Sequence, residues 1–271
     1  MNILEKICAD KKTHVETRKQ IISIDELKSQ KNTFKQSRGF IDSINNKAST
    51  ALIAEVKKAS PSKGIIRENF DPVEIAKIYE ESGAACISVL TDEPYFQGKD
   101  QYLVQVKENT TIPLLRKDFM VDEYQIWESK LLGADCILLI MAGLEFDEVK
   151  KLYELASELD MDTLFEVHDE HELEQCLKLN PQMVGVNSRN LKTLEVSIDT
   201  TKNLAKIIPD NIVKVAESGL KTNEDIDMLY KLGYKAFLIG ESLTKQDDIS
   251  SALKKIMNYT WHKSWTKLEQ T

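Results

Sequence analysis

Residues Ala51–Gly64 read ALIAEVKKASPSKG. The stretch opens as an apolar run of the kind that makes a buried strand, and charge then intrudes at Glu55 and Lys57. Residues two apart on a strand point to one face with alpha carbons about 7 Å apart, so this pair can engage one small ligand. The pair taken alone also suits a solvated ion pair at a strand end. Ser60-Pro61-Ser62, with Gly64 shortly after, reads as a loop.

The pattern recurs downstream. Short apolar runs occupy 51–56, 85–90, 112–116, 135–140, 162–167, 183–187, 212–216 and 235–239. Helical patterns fill 73–82, 100–109, 123–132, 145–159, 169–178, 199–207, 222–232 and 248–257. Continuous apolar strands alternating with helices indicate parallel strands covered by helices. Gly83, Gly133 and Gly233 each follow a helix and precede a strand, as helix C-terminal caps do. The count and the length fit a closed (β/α)8 TIM barrel, an α/β fold, with an extra N-terminal helical segment. An open doubly wound sheet is the alternative, but no GxGxxG follows the first strand.

The chain has 271 residues, 42% of them hydrophobic, and a net charge of −8 with both signs mixed along its length. Such a chain can bury about three quarters of its unfolded surface. The charge argues for solubility and against a nucleic-acid surface. No apolar run approaches the ~20 residues of a membrane span. MNILEKICADKK lacks the apolar core of a signal peptide. Cys8, Cys86, Cys136 and Cys176 are widely spaced without a CxxC, and read as reduced thiols of a cytoplasmic protein rather than a metal site. Within residues 1–47, Ile3, Leu4, Ile7 and Cys8 repeat at helical spacing and Asp25–Lys31 forms a second helical patch.

In such barrels the C-terminal ends of the strands face the active site. Here those tips are Glu55 and Lys57, Arg116-Lys117-Asp118, Phe165-Glu166, Asn187-Ser188-Arg189 and Glu217-Ser218-Gly219. Lys214, inside strand seven, is the one charge that this pattern does not place. Ala216-Glu217-Ser218-Gly219 and Leu238-Ile239-Gly240-Glu241-Ser242 end strands seven and eight. Backbone N–H groups at a glycine-containing turn beside a helix N-terminus bind phosphate, and barrels often hold phosphate after these two strands.

Ile53-Ala54-Glu55-Val56-Lys57-Lys58-Ala59-Ser60-Pro61-Ser62 resembles the signature of the indole-3-glycerol phosphate synthases, and matches run from near residue 50 to near residue 245. The resemblance implies a tryptophan-pathway lyase that closes the indole ring of an anthranilate joined to ribulose 5-phosphate, releasing carbon dioxide and water. It implies that residues 1–47 pack over the mouth of a barrel spanning 48–258, with 259–271 as a tail. Lys117 matches the general acid that protonates the carbonyl oxygen, and Lys57 the lysine on the substrate carboxylate. Glu166 matches the carboxylate that transfers protons around dehydration. Glu55, Asn187 and Glu217 match residues that orient the lysines and sugar hydroxyls, and Arg189 one that helps hold the carboxylate. Ser60, Ser218, Gly219, Gly240 and Glu241 fall where the family grips phosphate. Phe96, Phe119, Leu138, Leu191 and Leu238 would wall the aromatic ring. Thr244 departs from the family's methionine, a change read as peripheral.

Acid–base chemistry of this kind needs no redox cofactor, and none is expected. A lysine acid gains from cationic neighbours or partial burial that lower its pKa, a field that Arg116, Lys57 and Arg189 would supply. His168 and His171 are three apart at a helix start, and with no nearby Cys they read as ordinary helix-start residues rather than metal ligands. Trp127 is expected on the barrel's outer face. Asn258–Thr271, with Trp261 and Trp265, is either a docked tail or a contact for a partner such as a neighbouring pathway enzyme. A monomer is expected. Two rival readings differ in their residues. Phosphoribosylanthranilate isomerase needs a Cys–Asp acid–base pair that the strand tips lack. A non-catalytic sugar-phosphate binder should have lost Lys57, Lys117 or Glu166.

Overall fold

The structure, a computed structural model, describes residues 2–189 and 195–256. Eight parallel strands close into a barrel: β1 (Ala51–Val56), β2 (Cys86–Leu90), β3 (Leu114–Lys117), β4 (Cys136–Ile140), β5 (Asp162–Val167), β6 (Met183–Asn187), β7 (Val213–Glu217) and β8 (Ala236–Ile239). Neighbours in sequence are neighbours in the sheet, and β1 seals against β8 through Ala51↔Ala236 to Ala54↔Ile239. A two-residue antiparallel pairing of Ala59–Ser60 with Gly64–Ile65 folds the loop after β1.

The apolar runs form strands because both faces are buried. Ile53, Leu115, Leu138, Leu164, Val215 and Leu238 fill the barrel interior. Their alternates, such as Leu52, Ile87, Leu114, Ile137 and Val184, pack under the helices. The helices follow their sequence signals. Asp71, Asp122 and Asp169 cap Pro72–Glu81, Glu123–Leu132 and Glu170–Leu177, each accepting from a backbone N–H of the first turn. Gly83, Gly133 and Gly233 adopt φ of 92°, 90° and 94°, the left-handed conformation expected after a helix. Residues 249–256 are helical where the last helix is expected. Lys214 turns outward at the foot of β7, where its Nζ donates to the Ala205 carbonyl (3.0 Å) and to Asp210 (3.1 Å). The four cysteines are free and buried. Among the described residues no helix is long and apolar enough to cross a membrane.

The N-terminal segment serves both ends of the barrel. Its first helix, Ile3–Ile21, is longer than the sequence pattern indicates and brings Ile3, Leu4 and Ile7 to the mouth. Lys11, only 6% exposed, is held 2.7 Å from both Asp92 and Asp118, and Arg18 pairs with Glu128. The chain then descends past Trp127, whose ring lies 6.2 Å from Phe34 and beneath Lys28, so this segment covers Trp127. Residues 40–45 close the opposite end. Phe40 and Ile44 are fully buried, Ile41 N donates to Asp162 at the start of β5, and Ser43 donates to the Ala85 carbonyl before β2. The expected cover over the mouth is thus only the first part of residues 1–47, because the exposed strand starts also need an apolar cap. Removing a fully buried Phe ring costs ~3–5 kcal/mol. Phe40→Ala should show a loss of that size in urea unfolding, and a loss below ~1 kcal/mol would rule out its role as a plug.

Candidate active site

A cavity of about 710 Å³ opens at the C-terminal ends of the strands. Glu55, Lys57, Lys117, Glu166, Asn187 and Glu217 all line it, as do Ser60, Phe96, Phe119, Leu138, Arg189, Ser218, Gly219, Leu238, Gly240 and Glu241. Leu191 lies outside the described residues, as do Trp261 and Trp265.

Strand alternation aims the charged tips inward. Lys117 shares the inward face of β3 with Leu115, and its ammonium donates to Glu166 Oε2 and Glu217 Oε2, each at 2.8 Å. Asn187 Nδ2 donates to the other oxygen of Glu166 at 3.1 Å. Lys57 pairs with Glu55 on β1. Burial alone would lower the Lys117 pKa, but the facing carboxylates of Glu166, Glu217 and Glu55 outweigh it and hold the ammonium above the ordinary lysine range. Burial would raise Glu166, yet Lys117 and His168 keep it well below the usual carboxylate range. Glu217, buried and facing Glu166, is pushed up to about 7, with Lys117 offsetting part of the rise. The expectation of a cationic field that lowers the Lys117 pKa is therefore corrected. Adjacent residues on a strand face opposite ways, and Arg116 points out to Asp100 (2.7 Å), Glu128 (2.8 Å) and Ser129 (3.1 Å).

Several residues take parts that their sequence pattern did not assign to them. Gly185 sits mid-strand in β6, where a Cβ would stand 2.2 Å from Glu217 Oε1. A Cβ at Gly240 would stand 2.1 Å from Glu55 Oε2. Each glycine vacates the space a carboxylate occupies; for Gly185 an isolated glycine inside an apolar strand was the available signal. His168 places Nε2 3.2 Å from Glu166 Oε1, so it is not an ordinary helix-start residue. Thr244 is buried, and its hydroxyl lies 3.1 Å from Tyr79 Oη, which itself donates to the Glu55 carbonyl. The residue read as a peripheral departure thus supports the backbone of β1.

The walls and the rim differ in character. Phe96 and Phe119 face each other with centroids 6.2 Å apart, and Leu138 and Leu238 add apolar surface. On the adjacent loops after β1, β8 and β7 lie Ser60, Gly240 and Ser218-Gly219, joined by Lys63, Lys245 and Lys221. The Ser60 hydroxyl is buried without a hydrogen-bond partner among the described residues. Ser218 takes φ of 63°, a strained value for a residue with a side chain. No cluster of three or more His, Cys, Asp or Glu suited to a metal ion occurs among the described residues.

Residues 4–256 match the family model described as indole-3-glycerol phosphate synthase. The chain is 49% identical over 256 residues to the indole-3-glycerol phosphate synthase of Caldanaerobacter subterraneus, covering 94% of this chain and 98% of that one. It is 45% identical over 258 residues to the enzyme of that name from Neisseria meningitidis, covering 94% and 99%. Among solved structures, 3-hexulose-6-phosphate synthase superposes with a TM-score of 0.61 at 12% identity, covering 76% of this chain and 98% of that one. A chain of the tryptophan synthase complex from Pyrococcus furiosus superposes with 0.57 at 14%, covering 77% and 97%. These two likenesses carry the barrel fold alone. The near-complete match to the family model, with relatives close to half identical along their whole length, shows that the chain belongs to the indole-3-glycerol phosphate synthase family.

Proposed function

We propose that this chain converts 1-(2-carboxyphenylamino)-1-deoxyribulose 5-phosphate into indole-3-glycerol phosphate, carbon dioxide and water. The observation that carries the reading is the Lys117 ammonium at the barrel mouth. An ammonium has three N–H donors. Two are taken by Glu166 and Glu217, which leaves one for a substrate carbonyl. The ring carbon bearing the carboxylate attacks that carbonyl carbon, and Lys117 protonates the oxygen as negative charge develops on it. Loss of carbon dioxide restores the aromatic ring. Glu166, kept ionised by Lys117 and His168, takes a proton from the new ring's methylene, and the Lys57 ammonium gives a proton to the hydroxyl so that it leaves as water. Lys57 and Arg189 meet the substrate carboxylate, and Glu55, Asn187 and Glu217 orient the lysines and sugar hydroxyls.

The phosphate binds across the loops after β1, β7 and β8. The orphaned Ser60 hydroxyl and the three lysines on those loops support that placement. The apolar pair Phe96 and Phe119, with Leu138 and Leu238, wraps the aromatic ring. The enzyme works as a cytoplasmic monomer on this small molecule, with the 48–258 barrel as its catalytic unit and residues 1–47 as its extension.

Removing a general acid costs ~10²- to 10⁴-fold in rate. Lys117→Ala should lower turnover by at least ~10²-fold, with circular dichroism and substrate affinity little changed. Lys117→Arg should rescue poorly, because guanidinium keeps the charge but does not release its proton near neutral pH. Strong rescue by arginine would shift the acid role to Lys57.

Gly185→Ala tests the space reserved for Glu217. The methyl group must displace that carboxylate, and a misplacement of ~1 Å in such a site costs ~10²-fold in turnover. Overpacking should also cost ~1–3 kcal/mol in thermal unfolding. Wild-type turnover in this variant would show that the position of Glu217 is unimportant to catalysis.

A further inference from the structure

His168 follows β5 with its side chain only 9% exposed, behind Glu166 rather than in the cavity. Its Nδ1 lies within hydrogen-bond distance of Glu172 Oε2, at 3.0 Å, and its Nε2 lies 3.2 Å from Glu166 Oε1, an ion-pair approach off the line of a hydrogen bond. Glu172 also accepts the His168 backbone N–H at 2.8 Å, which fixes that carboxylate in place. A neutral imidazole carries one N–H, so one of the two carboxylates would face a bare lone pair. Imidazolium carries an N–H on both nitrogens and suits both carboxylates.

We propose that His168 is a positioning residue for Glu166, an imidazolium whose charge holds the carboxylate in place and keeps it ionised while Lys117 gives up its proton. The proposal rests on the reading of Glu166 as the group that takes a proton during dehydration. The charges around the pair explain why a second cation is needed. From β3, Lys117 contacts Glu166 at 2.8 Å, and from β7, Glu217 shares that ammonium. From β6 comes only the uncharged Asn187 amide, at 3.1 Å. From the helix Glu170–Leu177 comes Glu172. Once Lys117 has protonated the substrate it is a neutral amine. Among the described residues His168 is then the cation left in contact with Glu166, and without it the buried carboxylate would draw a proton early. Burial pulls the imidazolium pKa down, but Glu166 and Glu172 lift it to about 10, so the charge persists at neutral pH.

His168→Gln keeps an amide donor near Glu166 and removes the charge. A nearby cation lowers a carboxylate pKa by ~1–3 units, so its loss raises that of Glu166. The acid limb of the kcat–pH profile should therefore move up by ~1 unit. Turnover should fall by ~10-fold, within the ~10²-fold cost of a misplaced catalytic group, while KM stays within a few-fold. His168→Ala, which loses donor and charge together, should fall further. An unmoved acid limb in His168→Gln, with turnover still lost in Glu166→Gln, would overturn the proposal and leave the role of Glu166 standing. Full turnover in Glu166→Gln would overturn both. Nitrogen NMR of the intact wild-type protein, with the ring assigned by difference from His168→Gln, reads the charge without relying on a variant's kinetics. Both ring nitrogens should be protonated at neutral pH, and a neutral ring would overturn the proposal.

Discussion

An ammonium enclosed among strands must be paired, and the mouth of this barrel is arranged around that need at Lys117. The lysine side chain is 12% exposed and sits between Glu166 and Glu217, whose own side chains are 3% and 2% exposed. Two buried carboxylates beside each other repel, so the cation between them and the cation behind Glu166 are what make the arrangement tenable. The surroundings follow from the same constraint. Gly185 leaves room for one carboxylate and Gly240 for Glu55. Asn187 takes a lone pair of Glu166, and the Tyr79–Thr244 hydroxyl pair braces the strand that carries Glu55. A site balanced in this way holds a proton on the lysine and a free carboxylate within reach of one ligand, the combination that ring closure followed by dehydration requires.

The N-terminal segment connects this balance to the scaffold. Lys11 reaches Asp118, the residue between Lys117 and Phe119, and also Asp92 after β2. The same helix brings Ile3, Leu4 and Ile7 to the cavity, while Phe40 and Ile44 seal the other end. Arg116, next to Lys117 in sequence, faces outward into the acidic cluster of Asp100 and Glu128, which Arg18 of the first helix also joins. Neighbouring residues of one strand thus serve two systems: Lys117 joins the carboxylates at the barrel mouth, and Arg116 ties the first helix to the barrel wall.

The sequence by itself determined the alternation of strands and helices, because a strand buried on both faces needs a continuous apolar run and a helix needs its cap. Strands β1, β5 and β6 and the helices at 100–109 and 123–132 are placed to the residue, and the other barrel strands and the helices expected between them within two residues of their pattern. It also determined which tips carry charge, and through the Ile53–Ser62 signature it pointed to the family. The tertiary structure decided what depends on contacts between distant residues. These are the outward turn of Arg116, the rise of the Lys117 pKa where a fall was expected, the reserved space at Gly185, the link from His168 to Glu166, and the split of residues 1–47 between the two ends of the barrel. Propensity and periodicity are local, whereas a buried charge responds to every strand around it. Its pKa and its partners are therefore properties of the closed barrel.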